Sequence, residues 1–203
     1  GAVHSTSDTV RPALQIVKTR PGVSLTSGAF LMLRKNDQFI FSDCAINPDP
    51  NAEQLAEIAV ESARTAEMFD IDPKVALLSF STKGSASGDM VTKVAEATKI
   101  AKENAPDLAL DGELQFDAAF STDVANKKAP ESEVAGEANV FVFPELQSGN
   151  IGYKIAQRLG GFEAIGPILQ GLATPIADLS RGCVEEDVYK LSIITANQVL
   201  LQD

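Results

Sequence analysis

With 203 residues, 44% of them hydrophobic, the chain can bury a sizeable core, which excludes an intrinsically disordered segment. Its 28 acidic residues outnumber 17 basic ones for a formal charge of -11, which opposes a nucleic-acid backbone or an acidic membrane surface and obliges any anionic ligand to find a locally basic pocket. Two cysteines, Cys44 and Cys183, are too few for a disulfide framework and suit a reducing compartment, with the cytoplasm as the default.

No apolar run approaches the roughly 18 residues of a membrane span, and the N-terminus lacks the basic and apolar regions of a secretion signal. The chain starts at Gly1 without a methionine, which reads as a processed or cut piece. Ser5-Thr6-Ser7-Asp8 offers several N-caps ahead of Val10, Ala13, Leu14 and Val17, which share a helical face. A helix from about Thr9 to Thr19 is expected, with Pro12 in its first turn and Pro21-Gly22 ending it. The apolar runs Gly28 to Leu33 and Phe39 to Phe41 flank the polar Arg34-Lys35-Asn36-Asp37-Gln38 and read as a hairpin. Asn51 with Gln54 three positions on forms a capping-box pattern before a long helix whose Leu55, Ala59, Ser62 and Ala66 align.

Val75 to Phe80 reads as a buried strand, Ser81 to Gly88 as the loop behind it, and Met90, Val94, Ala97 and Ala101 as the inner face of a helix that stops by Pro106. Leu108 to Ser121 is ambiguous, and Asn126 to Glu137 reads as a polar, solvent-exposed loop. Asn139 to Pro144 is another buried strand, followed by the loop Leu146 to Asn150 and a helix carrying Ile155 and Leu159, broken at Gly160-Gly161. Ile176, Ala177 and Leu179 read as a strand end, Ser180 to Cys183 as a tight turn, and Glu185 onward as a helix expected to be largely buried along Tyr189, Ile193, Ala196 and Leu200. Strands alternating with helices predict an α/β layered fold with a mainly parallel sheet and flanking helices, whose ligands sit beyond the carboxyl ends of strands.

The turn near the C-terminus is the richest in chemistry. Ser180 offers a hydroxyl, Arg181 a forked cation suited to phosphate, and Asp187 a carboxylate able to take a proton. A plainer reading of the same residues is that Asp187 and the two glutamates before it complement the helix dipole while Arg181 balances them. No phosphate-loop or dinucleotide-fold glycine motif is present. His4 is the only histidine, so a zinc site or a Ser-His-Asp triad lacks partners. Cys183 has no local base and reads as a small buried residue at a helix start. Lys83 and Lys154 lie in glycine-rich surroundings and can meet a phosphate, although each taken singly reads as a solvated lysine.

Five blocks carry a resemblance: Gly1 to Gln15 (GAVHSTSDTVRPALQ), Asp111 to Ala119 (DGELQFDAA), Ala138 to Pro144 (ANVFVFP), Ser148 to Lys154 (SGNIGYK) and Asp178 to Gly182 (DLSRG). Together and in this order they resemble the phosphate acetyltransferase, or phosphotransacetylase, family over essentially the whole chain. The resemblance implies two α/β domains around a cleft, like the isocitrate and isopropylmalate dehydrogenases, of which this chain is the C-terminal portion. Residues 1–20 would be an inter-domain helix region, 21–170 one whole α/β domain, and 171–203 a C-terminal strand and helix belonging to the other domain. The implied reaction interconverts acetyl-CoA plus phosphate with acetyl phosphate plus CoA by direct thiolate attack in a ternary complex, in a cytoplasmic homodimer needing no metal or other cofactor. Asp187 would be the base, Arg181 the phosphate clamp and Ser180 the donor to the carbonyl oxygen. Ser5, Thr6 and Ser7 would add phosphate contacts, Asn150, Gly152, Tyr153 and Lys154 would meet CoA, and Lys83 stands beside them as a further substrate-binding candidate through a contact with phosphate. The alternatives are a phosphate butyryltransferase, or a ligand-binding or dimerisation fragment inactive by itself.

Overall fold

The computed structural model describes residues 3–4, 6–179 and 182–200, with residues 6 and 7 described by their backbone alone. Helix α1 (Thr6–Ile16) starts and ends about a turn earlier than its caps suggest, which places Pro12 inside the helix instead of in its first turn. Strands β1 (Ser27–Arg34) and β2 (Asp37–Ser42) form the expected antiparallel hairpin, with Lys35 in the left-handed region at the turn. Helix α2 (Ala52–Glu67) opens on the expected capping box, in which Gln54 N–H donates to the Asn51 side chain at 2.9 Å and Asn51 N–H to the Gln54 side chain at 3.0 Å. Strand β3 (Val75–Leu78) and helix α3 (Asp89–Asn104) follow as expected.

The ambiguous stretch resolves into strand β4 (Leu110–Leu114) and the short helix α4 (Phe116–Phe120). The segment expected as an exposed polar loop instead begins in helix α5 (Thr122–Lys128), and Ala125, Ala129 and Val134 within and just around it are buried. Its lysines and glutamates decorate one side while these small apolar residues hold the other to the core. After β5 (Val140–Val142), helix α6 (Leu146–Arg158) takes in Ser148 to Asn150, which the sequence suggests as a loop, because Glu145 caps the first turn through the N–H groups of Gln147 and Ser148. Strand β6 (Glu163–Gln170) has no counterpart among the expected strands, since Gly166-Pro167 interrupts its apolar run. Conversely, the strand expected over Ile176 to Leu179 is reduced to a single bridge between Ala177 and Ile168. Helix α7 (Glu185–Leu200) closes the described chain.

The six strands form one sheet in the order β4-β3-β5-β2-β1-β6. Pairings β4-β3, β3-β5 and β5-β2 are parallel, whereas β2-β1 and β1-β6 are antiparallel, so the sheet is mixed with a parallel body and an antiparallel edge. Side chains alternate between its faces. Ala29, Leu31, Ile40, Val75, Leu77, Val140 and Val142 join α2, α3 and part of α7 in an aliphatic core. Their neighbours Phe30, Met32, Phe41, Ala76, Leu78 and Phe141 form a second, aromatic core on the face that α4 and α6 cover. Full burial of each Val, Leu, Ile, Met or Phe side chain among them contributes about 1.5–3 kcal/mol.

Helix α7 departs from its expected burial. Leu191 and Ile194 reach the aliphatic core, but Tyr189, Ile193 and Leu200 are 67%, 44% and 74% exposed. The helix lies against the edge strand β6, tied by Lys190 to Glu163, and its apolar face is wider than that strand can cover.

Beneath α2, buried Gln170 joins the two antiparallel strand pairs to the helix. Its Oε1 accepts from the hydroxyls of Ser27 at 2.7 Å and Ser42 at 3.1 Å, and its Nε2 donates to Thr65 Oγ1 at 2.6 Å and the Glu61 carbonyl at 3.3 Å. Replacing Gln170 by leucine preserves volume but strands these polar groups, so a loss of about 1–3 kcal/mol is expected in urea denaturation. An unchanged midpoint would show that the network contributes no stability.

Candidate active site

The site begins at the carboxyl end of β2, where Asp43 is 2% exposed. Its Oδ1 accepts from the N–H groups of Gly28 at 3.1 Å, Ala45 at 2.8 Å and Ile46 at 3.1 Å; its Oδ2 accepts from Asn47 N–H at 2.8 Å and from the Asn47 amide at 2.6 Å. One carboxylate thus fixes the whole turn from β2 toward α2. Helix α6 lies directly on this turn. A Cβ on Gly149 would stand 2.2 Å from the Asp43 carbonyl oxygen, and one on Gly152 would stand 2.9 Å from the Phe143 ring, so only glycine permits the approach. Asn150 then donates its side-chain N–H to the Cys44 carbonyl at 3.1 Å. The Cys44 thiol itself is buried, and burial together with the Asp43 charge pushes its pKa well up, which keeps it protonated and unreactive.

Asn150, Tyr153, Lys154, Gln157 and Arg158 of α6 line a cavity of about 560 Å³. Phe30, Ala164 and Gly166 line it from the sheet, and Leu179, Gly182, Cys183, Asp187 and His4 complete it. The Tyr153 ring stacks on Phe30 with centroids 4.1 Å apart and 14° between planes, and burial raises the Tyr153 pKa, keeping its hydroxyl neutral. Lys154 pairs with the Asn150 side-chain oxygen and stands 5.5 Å from the Tyr153 centroid. Asp187 Oδ2 accepts from Val184 N–H at 2.9 Å, closing the first turn of α7, and its Oδ1 has no partner among the described residues. Lys154 and Arg158 against Asp187 make the described lining net positive in a chain of charge -11, as an anionic ligand requires. A second cavity, about 430 Å³, is lined by Arg20, Arg64, Glu61 and Glu67, but both arginines are bound to the same Glu61 oxygen, at 2.5 and 3.0 Å.

A family model described as phosphate acetyl/butaryl transferase matches residues 1–196. The chain belongs to this family. It is 68% identical over 200 residues to the phosphate acetyltransferase of Bacillus subtilis (strain 168), covering 98% of this chain and 62% of that protein. It is also similar to the crystal structure of a phosphotransacetylase from Streptococcus pyogenes, with a TM-score of 0.96 and 68% identity over 98% of this chain and 61% of that one. At the level of fold alone it matches 4-hydroxythreonine-4-phosphate dehydrogenase from Klebsiella pneumoniae, with a TM-score of 0.53 at 14% identity over 95% of this chain and 57% of that one. The chain therefore spans about 62% of the length of the curated relatives it matches.

Of the residues to which the resemblance gives a role, the cavity brings together Asp187, Asn150, Tyr153 and Lys154. Gly152 belongs to the side of α6 that meets Phe143. Ser180 and Arg181 lie outside the described residues, between Leu179 and Gly182, which both line the cavity. Ser5 and the side chains of Thr6 and Ser7 also lie outside them. Cys183 is half-buried and part of the lining, not enclosed in the core as a small helix-start residue would be. Phe30, Gln157 and Arg158 were not among the expected contacts. Arg158 was within reach of the sequence, since it recurs four residues after Lys154 and eight after Asn150 on one helical face.

Lys83 is placed apart from this cavity. Its ammonium donates to Asp111 Oδ1 at 2.6 Å and to the Gly112 carbonyl at 2.8 Å, and Lys102 meets the same Asp111 oxygen at 2.9 Å. Burial pushes the Asp111 carboxyl up, but hydrogen bonds from Lys83, Ser132 and Lys102 and the Lys83 charge outweigh it and hold the pKa at about 2. A carboxyl with a folded pKa below its unfolded value near 3.9 stabilises the fold above about pH 4 and loses that contribution as the pH falls toward 2. Urea midpoints of the wild type should therefore fall more steeply over that window than those of Asp111→Asn. Parallel profiles would remove the ion-pair account.

Proposed function

We propose that the chain carries the reacting centre of a phosphate acetyltransferase, which interconverts acetyl-CoA plus phosphate with acetyl phosphate plus CoA. The observation that carries this reading is the net-positive cavity that Asp187 at the start of α7 lines together with Asn150, Tyr153, Lys154 and Arg158 of α6. In the direction of acetyl-CoA synthesis, the CoA thiol gives its proton to Asp187 and the thiolate attacks the carbonyl carbon of acetyl phosphate within a ternary complex. The new C–S bond forms, the C–O bond to phosphorus breaks, and inorganic phosphate departs with the electron pair. Arg181 neutralises the phosphate by a two-pronged clamp, and Ser180 donates to the carbonyl oxygen as its charge develops.

Lys154, Asn150 and Tyr153 on α6 are the proposed CoA contacts, with Gly152 allowing that helix its seat. Ser5, Thr6 and Ser7 would add phosphate contacts, and Lys83 is a further phosphate-binding candidate only if its bond to Asp111 opens. No oxidation state changes and no bound water needs activation, so the reaction as written calls for no metal or redox cofactor.

The wider assignments belong to the same proposal. A sheet covered on both faces, together with the fold-level likeness to a dehydrogenase, supports an isocitrate/isopropylmalate dehydrogenase-like layering. Residues 21–170 would then be one whole domain, 1–20 an inter-domain helix region, and 171–203 part of a second domain, in a cytoplasmic homodimer. None of the described helices is long and apolar enough to cross a membrane.

Asp187 separates the catalytic from the structural reading. Asparagine at this position keeps an acceptor for the Val184 N–H, so Asp187→Asn should leave the thermal midpoint nearly unchanged. Turnover in a CoA-dependent phosphate-release assay, on this chain and on one carrying the relatives' remaining length, should fall about 10²–10⁴-fold. The deficit should shrink toward pH 9, because the free thiol ionises unaided near a pKa of about 8.5. A lowered midpoint with full turnover would make Asp187 a helix cap and no more.

A further inference from the structure

The charged groups of the cavity gather on α6 and at the start of α7, whereas its apolar wall is Phe30, Ala164, Gly166 and Leu179. An acyl phosphate or acyl thioester has one apolar part near the reacting carbon, the acyl tail. Burying that tail against the apolar wall is favourable, and setting it among Lys154, Arg158 and Asp187 would cost those groups their solvation. An acyl tail is therefore best accommodated on that apolar wall, of which Phe30 is the largest side chain.

We infer that Phe30 is the residue that sets the acyl-chain length this cavity accepts, an inference that rests on the acyltransferase reading above. Three features make its ring a stiff stop. First, Tyr153 stacks flat against it at 4.1 Å. Second, a Cβ on Gly166 would fall 2.7 Å from Phe30 Cδ1, so the ring lies against bare backbone on that side. Third, the β1-β6 register steps from Ala29↔Ile168 to Leu31↔Ile165, which leaves Phe30 opposite the two residues Gly166 and Pro167. Such a bulge re-aims the side chain it faces, and Pro167 has no N–H with which to restore the ladder. A ring held between an aromatic face and a bulged strand has no free direction in which to turn. A longer acyl chain must then displace packed structure, whereas an acetyl group stops short of it.

The test is calorimetric binding of acetyl-CoA and butyryl-CoA to the wild type, Phe30→Leu and Phe30→Met, with thermal midpoints measured alongside. The methionine variant replaces the rigid ring by a smaller, flexible side chain that can repack, and guards against a leucine variant that fails to fold. The wild type should favour acetyl-CoA, and both variants should raise the butyryl-to-acetyl affinity ratio by about 10-fold or more, the scale on which a pocket senses a methylene. A wild type that binds acetyl-CoA, with a ratio unchanged in both variants, overturns the role of Phe30 and leaves the acyltransferase reading standing. A folded wild type that binds neither thioester overturns both.

Discussion

The Asp43 carboxylate is the constraint on which the rest of the site depends. A turn leaving the carboxyl end of a central strand exposes several N–H donors at once, and burying them unpaired would cost about 1–3 kcal/mol each. Asp43 accepts from three of them, those of Ala45, Ile46 and Asn47, and with them from the Asn47 amide and the Gly28 N–H of β1. Because Gly28 N–H is among its donors, the same carboxylate also holds the start of β1 against the end of β2. The turn becomes a rigid platform, and α6 is lowered onto it through Gly149 and Gly152. Everything α6 presents to the cavity inherits its position from that contact.

The two faces of the sheet serve different ends. The aliphatic face is covered by α2 and α3, whose inward residues are mostly alanine, and these helices can approach the strands closely. The opposite face is aromatic, with Phe30, Phe39, Phe41, Phe141 and Phe143 in mutual or neighbouring ring contacts. The cavity opens where that face meets the antiparallel edge strand β6. The ordinary alternation of a buried strand thus places Phe30 at once in the aromatic core and in the wall of a binding site.

What was legible in the sequence follows from how local each signal was. The hairpin, the Asn51-Gln54 capping box, α3 and β5 depend on neighbours within a few positions, and their patterns read directly. Strand β6 did not, because Gly166-Pro167 looks like a break when the partner strand that tolerates the bulge is unseen. The burial of α7 was overestimated for a related reason: the apolar spacing of Tyr189, Ile193 and Leu200 shows which residues share a face, not whether another element covers it. In the site, Asn150, Tyr153 and Lys154 are grouped by the family resemblance, without the helix that joins all three, whereas Phe30 is not singled out at all. Its sequence context is that of any core strand residue, and only the packing of Tyr153 and Gly166 around it marks it out.

Charge supplies the last link between fold and site. A chain of net charge -11 repels an anionic substrate at long range, so recognition must come from cations whose fields are not already cancelled. Many of the described cations are spent locally: Arg20 and Arg64 on Glu61, Lys83 and Lys102 on Asp111, Lys74 on Glu137, Lys128 on Asp117 and Lys190 on Glu163. Lys154 and Arg158 have no carboxylate partner among the described residues, and both stand on the one helix that the Asp43 platform orients. Lys18, Lys35 and Lys127 also lack a carboxylate partner among the described residues, but none of them lines this cavity. Selectivity for the cavity therefore comes from where the carboxylates are committed as much as from where the cations stand.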